Sequence, residues 1–401
     1  MTSKLEELIA KLCPNGVEYK KIGDIATLVT GGTPKTSYAE YWEGGNIPWM
    51  ASGEVNLGIV SKTEKKITEA GYNSSNTKML PANTVVIALA GQGKTRGKVA
   101  LTKIPLCTNQ SLCGICVDYT VNSKFLYHFL SSKYIELRAI SSGDGTRGGL
   151  NLRIISNFEI PVPPLEVQAE IVRILDTFTE LTAELTAELT ARKKQYEYYR
   201  DTLLTFNDNN PLHSLISRYC PNGVEYKKIG DVANYEQPTK YIVKSTEYNN
   251  SFATPVLTAG QSFILGYTDE LDNIYLASKD NPVIIFDDFT GAIQWVDFPF
   301  KVKSSAMKMI TAKPNMLIRY LYHWMSLLGF SSSEHKRLWI STYSNFEIPI
   351  PPLEVQLQIV QILDRFDALC NDLTQGLPAE IEARRKQYEY YRDQLLTFKR
   401  A

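Results

Sequence analysis

The chain has 401 residues, of which 44% are hydrophobic and 21% charged, and its formal net charge at pH 7 is zero. Such a composition is typical of a globular protein, and the length predicts two or three domains. No apolar run approaches the eighteen residues of a membrane span, and six cysteines are too few for a disulfide framework, so we expect a cytoplasmic protein.

The N-terminal residues 1–12 have the pattern of an amphipathic helix that contains acidic residues, which is unlike a signal peptide. The next twelve residues, Cys-Pro-Asn-Gly-Val-Glu-Tyr-Lys-Lys-Ile-Gly-Asp at 13–24, return unchanged at 220–231. Further along the chain, 18 of the 23 residues at 156–178 recur at 344–366, and 14 of the 16 at 191–206 recur at 383–398. The chain is therefore an internal duplication, and we call its repeated blocks the frame.

Two inserts separate the repeated blocks, at residues 25–155 and 232–343, and they share no obvious alignment. A frame kept almost letter for letter around divergent inserts favours two different recognition domains on one common support. Free drift of duplicated inserts is the alternative.

Both inserts show patterns of mixed α/β structure. β-Branched runs predict strands at 84–90 and 112–117 in the first insert and at 282–286 in the second. Apolar spacing near 3.6 predicts helices at 123–139 and 317–328. Each insert thus runs from strands to a helix, which predicts a shared fold beneath dissimilar sequences.

The longest predicted helix begins after two prolines and covers residues 165–206, which contain neither proline nor glycine. Unbroken, it would be about 63 Å long. One apolar stripe follows its length, as in a coiled coil. The second copy, from Leu353, should break at Gly376 to Pro378. The residues that we expect to serve helix packing and partner docking are Leu181, Leu185, Leu189, Tyr196, Tyr199, Tyr388 and Tyr391.

Residues 179–191 repeat the tetrapeptide Thr-Ala-Glu-Leu inside this helix. Four residues add about 6 Å and a net turn of about 40°, and one base pair of B-DNA turns by about 35°. We hypothesise that the tract is an adjustable spacer between the inserts. Slippage in a permissive helix is the alternative.

No catalytic set is evident. The run Gly91 to Thr95 imitates a phosphate loop, but Ala88 stands where that motif needs glycine, so its flexible backbone and cations suit DNA phosphates better. Cys113 and Cys116 have no second pair at zinc spacing, and the four histidines form no ligand pair on a helix face. We therefore predict no catalytic residue, no metal site and no bound cofactor.

Charge distinguishes the inserts. The first carries 14 Lys and Arg against 8 Asp and Glu, whereas the second carries 10 against 10. Basic residues are the candidates for contacts with phosphates, and Asn or Gln could hydrogen-bond adenine edges, although a turn role is the alternative for them. The candidates in the first insert are Lys35, Lys94, Arg96, Lys98, Asn109, Gln110 and Arg147. Those in the second are Lys240, Lys301, Lys303, Lys308, Lys336 and Arg337.

The chain resembles the DNA-specificity (S) subunits of type I restriction–modification enzymes. Gly31-Gly-Thr-Pro34, Tyr41-Trp42 and Ile47-Pro-Trp49 are similar to that family's target-recognition-domain signature. Ile160-Pro-Val-Pro-Pro164, followed by Gln168, is similar to the start of its conserved helical region, whereas the second insert lacks Gly-Gly-Thr-Pro.

The resemblance implies an α+β protein with two mixed α/β target-recognition domains, related by an internal pseudo-twofold repeat and joined by long antiparallel coiled-coil helices. Each domain would recognise one half of a bipartite, asymmetric site in double-stranded DNA. The helices would dock two adenine methyltransferase (modification) subunits, and motor-nuclease (restriction) subunits would join them. Methyl donor, ATP and magnesium would be bound by those partners.

On this interpretation the chain divides into four consecutive segments: a first target-recognition domain (1–155), a central helical spacer (156–206), a second target-recognition domain (207–343) and a C-terminal helical region (344–401). A protein-interaction scaffold that does not bind DNA is the alternative, supported by the neutral second insert. A nucleotide-dependent enzyme using Gly93 to Thr95 rests on one imperfect motif.

Overall fold

The computed structural model describes residues 3–91, 95–141, 149–258, 263–329, 337–372 and 375–401. The chain divides into two compact units. Unit 1 consists of Met1–Leu185 together with Glu380–Ala401, and unit 2 is Thr186–Ala379. The C-terminal residues thus belong with the N-terminal half, a grouping that differs from the four consecutive segments expected from the sequence.

The α-helices of the described residues are α1 (Ser3–Leu12), α2 (Ile22–Ile25), α3 (Glu69–Asn73), α4 (Ser123–Ser132), α5 (Tyr134–Ala139), α6 (Leu152–Asn157), α7 (Leu165–Leu203), α8 (His213–Tyr219), α9 (Ile229–Val232), α10 (Ile318–Leu328), α11 (Leu338–Ser341), α12 (Leu353–Asn371) and α13 (Leu377–Leu395). None of these helices is long and apolar enough to cross a membrane.

The strands of unit 1 are β1 (Tyr19–Lys21), β2 (Ala26–Thr30), β3 (Ile47–Met50), β4 (Ile59–Val60), β5 (Lys65–Ile67), β6 (Val85–Ala88), β7 (Val99–Thr102), β8 (Cys107–Thr108), β9 (Leu112–Val117) and β10 (Glu159–Pro161). Those of unit 2 are β11 (Tyr226–Lys228), β12 (Ala233–Glu236), β13 (Thr254–Leu257), β14 (Ile264–Thr268), β15 (Val283–Asp287), β16 (Ile293–Val296), β17 (Lys301–Val302), β18 (Met307–Ala312) and β19 (Glu347–Pro349).

The two units have the same arrangement of sheets, except that β4, the outer strand of the unit 1 main sheet, has no counterpart among the described strands of unit 2. Unit 1 has a main sheet in the order β2-β9-β6-β7-β4, a three-stranded sheet β5-β3-β8 and an antiparallel pair β1-β10. Unit 2 repeats this plan with β12-β18-β15-β16, β14-β13-β17 and β11-β19. In both three-stranded sheets the central strand has one antiparallel and one parallel neighbour. The prediction of one fold beneath dissimilar inserts is confirmed.

Most predicted elements lie where the sequence placed them. β9 covers 112–117 as predicted, and β6 and β15 lie within a residue or two of their expected positions. Helix α7 is continuous for 39 residues, and the second copy breaks between α12 and α13, at the Gly-Leu-Pro sequence. The predicted helix at 123–139 is divided at Lys133, where α4 ends and α5 begins.

A buried glutamine explains why the Pro-Pro-Leu-Glu-Val-Gln motif occurs twice. The Gln168 side chain accepts a hydrogen bond from Asn122 N (2.7 Å) and donates to the carbonyl oxygens of Thr120 (3.0 Å) and Pro163 (2.7 Å). It therefore ties the start of α7 to the segment that leads into α4. Because its polar atoms are buried, each needs such a partner.

Gln356 makes the same set of bonds in unit 2. It accepts from Leu317 N (2.8 Å) and donates to the carbonyl oxygens of Asn315 (3.1 Å) and Pro351 (2.8 Å). Gln168 and Gln356 are both fully buried. The frame thus fixes the start of α4 in one insert and of α10 in the other through an identical clamp, although the inserts differ in sequence.

The tyrosine blocks at 191–206 and 383–398 pack on different units. Tyr391, from the second block, stacks on Phe178 in unit 1 with ring centroids 5.3 Å apart. Tyr199, from the first block, stacks on Phe366 in unit 2 at 5.1 Å. Unit 1 therefore contains the second tyrosine block, and unit 2 contains the first.

Within unit 2, helices α7 and α12 run antiparallel. Phe366 lies against Tyr199, while Cys370, one turn further along α12, lies in the field of Lys193, which comes earlier on α7. Of the expected packing residues, Leu185 is buried, Leu181, Leu189, Tyr196, Tyr199, Tyr388 and Tyr391 are partly buried, and Leu203 and Leu204 complete the unit 2 core.

An ion-pair cluster fastens α1 to α7 in unit 1. The buried Glu170 carboxylate lies 2.7 Å from Arg173 Nη2 and 3.0 Å from Lys4 Nζ. The hydrogen bond from Arg173 is the main reason why the pKa of Glu170 is lowered from 4.5 to about 2, and burial opposes this shift. Unit 2 has glutamine, Gln358, at the corresponding position.

Glu170→Gln should lower the melting temperature of the chain at neutral pH but not near pH 2. A carboxyl whose pKa is lower in the folded state stabilises the fold above its unfolded value of 4.5, and this contribution disappears as the pH falls towards about 2. We expect a difference of about 2–4 °C at pH 7, because ion pairs with exposed partners contribute at most about 1 kcal/mol. Calorimetry from pH 7 to pH 2 checks this, with the exposed Glu166→Gln as control. A pH-independent difference would contradict it.

Candidate nucleic-acid interface

Five of the predicted contact residues of the first insert lie at one end of the main sheet of unit 1. At this end β2 finishes at Thr30, opposite Cys113 of β9, and β6 finishes at Ala88, opposite Leu112. The described connections here are residues 31–35, 89–91, 95–98 and 109–111, and we call them the loop end. They carry Lys35, Arg96, Lys98, Asn109 and Gln110, whereas the frame joins the sheet at its opposite end.

Hydrogen bonds hold the Gly-Gly-Thr-Pro segment against the 109–111 turn. Gly32 N donates to Thr108 O (2.9 Å), and the Thr33 hydroxyl donates to Gln110 Oε1. Gly31 has to be glycine because a Cβ there would lie 1.9 Å from Thr108 O. Behind the loop, the Trp49 indole N–H donates to Gly32 O (3.0 Å).

The aromatic residues of the same motif support cations at the surface. Trp42 packs edge-on against Trp49, with centroids 5.1 Å apart. Lys35 Nζ lies 5.6 Å from the centre of the Tyr38 ring, and Lys65 Nζ lies 5.8 Å from that of Trp42. Lys35 and Lys65 are exposed. Lys65 was missed by the sequence analysis because nothing in its local sequence connects it with Trp42.

The remaining first-insert candidates differ in what their side chains do. Lys98 Nζ donates to Asn56 Oδ1 (2.7 Å), and Arg96 is half-buried. Asn109 Oδ1 accepts from Ser111 N (3.0 Å), so Asn109 takes the turn role that was the alternative to base recognition. Gln110 is exposed beside it.

Three predicted residues, Lys94, Arg147 and Lys336, lie outside the described residues.

The loop end of unit 2, where β12 and β15 finish, carries the exposed cations Lys240 and Arg337. Lys240, just after β12, is exposed, lies 4.7 Å from the Tyr241 ring centre and pairs with Glu236 at 2.8 Å. The hydrogen bond from Lys240 to Glu236 is the main reason why the pKa of Lys240 is raised. Lys303 lies 5.7 Å from the Tyr248 ring centre, and Arg337 is exposed beside Leu338, whose N–H donates to Asp288 O.

Lys301 and Lys308 must be removed from the set of DNA contacts because both are fully buried. Lys301 Nζ lies 2.9 Å from a carboxylate oxygen of Glu270 and donates to Asp272 O (2.7 Å). Lys308 Nζ lies 3.0 Å from Asp288. These ammonium groups neutralise carboxylates inside the unit and cannot reach a DNA strand.

A second set of polar residues, missed by the sequence analysis, joins each insert to the frame. In unit 1, His128 Nδ1 lies 2.9 Å from the Tyr388 hydroxyl and its Nε2 lies 3.3 Å from Asp176. In unit 2, His323 Nδ1 lies 3.2 Å from the Tyr196 hydroxyl and its Nε2 lies 2.8 Å from Asp364. Each buried histidine of an insert is thus held between two residues of the frame.

Charges reinforce both networks. Burial would raise the pKa of Asp364, but hydrogen bonds from His323 and the charge of Arg319 outweigh it and lower that pKa. Burial would likewise raise the pKa of Asp176, but hydrogen bonds from His128 and Lys124 outweigh it and lower that pKa. The signal in the sequence is the shared tripeptide Leu-Tyr-His at 126–128 and 321–323. The tripeptide does not have the spacing of a metal-ligand pair, because each histidine instead bonds a tyrosine and an aspartate of the frame.

The geometry offers no site for a metal among the residues that the structure describes, since no group of three or more His, Cys, Asp or Glu is arranged to hold an ion there. Cys113 and Cys116 are free thiols on one strand, and burial raises the pKa of Cys113 to about 12. Such a thiol stays protonated and is a poor ligand at neutral pH.

Comparison with known proteins identifies the family. A family model described as the type I restriction modification DNA specificity domain matches residues 14–192 and 221–383. The EcoR124I/EcoR124II specificity subunit of Escherichia coli is 54% identical over 187 residues, 44% of this chain and 45% of that protein. A putative specificity subunit of Haemophilus influenzae, S.HindORF215P, is 32% identical over 307 residues, 69% of this chain and 73% of that protein. The match thus spans less than half the length of the first relative.

Solved structures share the fold. The S subunit of a type I restriction-modification system from M. genitalium has a TM-score of 0.62 at 16% identity and covers 96% of this chain and 97% of its own. A chain from a study of the assembly and conformational transition of a type I system has a TM-score of 0.53 at 15% identity, covering 96% and 98%. At such identities the likeness concerns the fold alone.

Two units of one topology, each with a polar loop end and a shared helical frame, define a duplicated recognition protein. Because the family model covers both halves, the chain belongs to the family of DNA specificity subunits of type I restriction–modification systems.

Proposed function

We propose that each unit binds one half of a bipartite, asymmetric DNA site through its loop end, and that the helices dock two adenine methyltransferase subunits. The observation that supports this most directly is the equivalent position of the two loop ends. Equivalent ends of the two main sheets carry different exposed side chains. These are Lys35 and Gln110 in unit 1, and Lys240 and Arg337 in unit 2. One architecture would thus recognise two different sequences.

The frame suits two copies of one partner because it presents the same side chains twice. Tyr198 and Tyr390, at equivalent positions of the tyrosine blocks, are 67% and 63% exposed. Exposed tyrosines are favourable centres for protein interfaces. Motor-nuclease subunits would join this assembly, and the chain itself would be non-catalytic, with methyl donor, ATP and magnesium on its partners.

Lys35→Gln combined with Lys98→Gln should weaken binding to duplex DNA by about tenfold at low salt and reduce the salt dependence by about two ion equivalents. Both lysines lie at the unit 1 loop end, where an ammonium group would displace counterions from phosphates. Fluorescence anisotropy over a salt series measures this, with the chain alone and assembled with its methyltransferase subunits.

Lys11→Gln is the control, because Lys11 is exposed on α1, outside the loop end. Equal salt slopes for the double variant and the unaltered chain would contradict the loop-end assignment. Salt-insensitive binding by the unaltered assembly would favour the protein scaffold instead.

A further inference from the structure

The frame of unit 1 holds an extended segment of the chain in a small socket. Val17 N donates to Lys399 O (2.8 Å), and Ala401 N donates to Val17 O (3.0 Å). Residues 399–401 thus lie beside Val17 as a short added strand, with Arg400 in parallel register with it. Gly16, with a φ of +105°, leaves room for them, since a Cβ there would lie 2.7 Å from Lys399 O.

Side chains complete this socket. The Arg400 guanidinium lies 2.6 Å from a carboxylate oxygen of Glu159 and 4.8 Å from the centre of the Tyr19 ring. The Tyr19 hydroxyl donates to Phe398 O (3.1 Å). The occupant is thus recognised by its backbone and by one cationic side chain.

Unit 2 contains the same socket, built from the same residue types. Gly223, Val224, Tyr226 and Glu347 take the places of Gly16, Val17, Tyr19 and Glu159. The strand register is also identical. Tyr226 lies opposite Pro349 and Lys228 opposite Glu347, as Tyr19 lies opposite Pro161 and Lys21 opposite Glu159.

The socket of unit 2 is open. No atom of the described residues lies within 4 Å of the position that a Cβ of Gly223 would take. Tyr226 is 55% exposed, and Val224 is partly exposed, whereas Val17 is buried. Across the described ranges, no backbone hydrogen bond involves Val224, and no ion pair involves Glu347.

The local sequence explains why the chain does not fill this socket itself. Asp208, two residues after the first tyrosine block, occupies the position that corresponds to Arg400, two residues after the second block. The buried Asn210 side chain donates to the carbonyl oxygens of Thr202 and Leu203 and so turns the chain back onto the end of α7. The segment that would fill the socket is thus diverted, and an acidic residue replaces the required cation.

We propose that the unit 2 socket binds an extended segment of a partner protein that carries an arginine, added as a short strand beside Val224. The arginine would pair with Glu347 and lie over Tyr226, and the backbone would bond with Val224, as in unit 1. Strand addition of this kind takes its affinity from main-chain bonds and its specificity from side-chain pockets. The proposal does not rest on DNA recognition and can fail independently of it.

A labelled, acetylated and amidated heptapeptide, Leu-Leu-Thr-Phe-Lys-Arg-Ala, tests this proposal because it has the sequence of the segment that fills socket 1. We expect saturable, one-to-one binding to the full chain. Glu347→Gln should weaken it about tenfold, as loss of one charged hydrogen bond predicts. Glu347→Arg should restore binding of a peptide with glutamate in place of arginine.

Glu159→Gln is the matched control and should leave the peptide affinity unchanged, because socket 1 is already occupied. No binding at millimolar peptide, or equal binding by Glu347→Gln, would overturn the proposal. Weakening by Glu159→Gln would also overturn it, since the peptide would then be displacing residues 399–401. If the full chain self-associates and loses this on removal of 399–401, the occupant is a second copy of the chain and not a different protein.

Discussion

Deletion of residues 182–185 is expected to shorten the gap between the two half-sites of the proposed bipartite DNA target by one base pair, with loss of modification at the original target. Helix α7 runs unbroken through the tetrapeptide tract, and the border between units 1 and 2 falls inside it, after Leu185. The deletion moves Leu189 into the register of Leu185 and so keeps an apolar residue at that position.

The magnitudes decide how far the gap should change. Removing four helical residues shortens α7 by about 6 Å and changes its phase by about 40°. One base pair contributes about 3.4 Å and about 35° of turn. The change in helix length would fit the removal of one or two base pairs. The change in helix phase fits only one, because removal of two would leave a loop end about 30° out of phase with its groove.

Methylome sequencing of a host that carries the complete system measures the gap for each variant. The control is Thr182→Ala combined with Glu184→Ala, which keeps the helix length and should keep the gap. An unchanged gap after the deletion would refute the spacer hypothesis and leave sequence slippage as the explanation of the tract.

Gln168→Leu should destabilise unit 1 by about 3 kcal/mol and lower its melting temperature by roughly 6–12 °C. Leucine fills a similar volume but leaves Asn122 N and the carbonyl oxygens of Thr120 and Pro163 without partners in a buried site. An unsatisfied buried polar group costs about 1–3 kcal/mol, which far exceeds the gain from an added apolar side chain there.

Differential scanning calorimetry measures this effect. Gln356→Leu should have a similar effect on unit 2, where the same clamp occurs. Gln394→Leu makes the same chemical change at an exposed position of α13 and should alter the melting temperature little. If the Gln168→Leu and Gln394→Leu variants have the same melting temperature, the clamp contributes nothing to stability.

Local sequence patterns were sufficient for much of the fold. The absence of proline and glycine over residues 165–206 predicted α7, and the Gly-Leu-Pro sequence predicted the break before α13, because backbone restrictions act locally. Conserved internal repeats also predicted that both inserts share one topology. These inferences need only local geometry and the symmetry of a duplication.

Long-range features were beyond local inference. Lys301 and Lys308 looked like surface cations because the sequence does not show that Glu270 and Asp288 meet them in the interior. The pairing of Tyr388 with His128 joins residues 260 positions apart. Whether a charged or aromatic residue lies on a surface or in a junction depends on such contacts, which neither periodicity nor composition encodes.

The exchange of tyrosine blocks between the units has a consequence for the order in which the protein can be completed on the ribosome. All residues of unit 2 are contiguous, and they precede residues 380–401, which belong to unit 1. Unit 1 emerges first but lacks Tyr388 and Leu395 of its core until all of unit 2 has been synthesised. Unit 1, although its synthesis begins first, is therefore the last to complete its core.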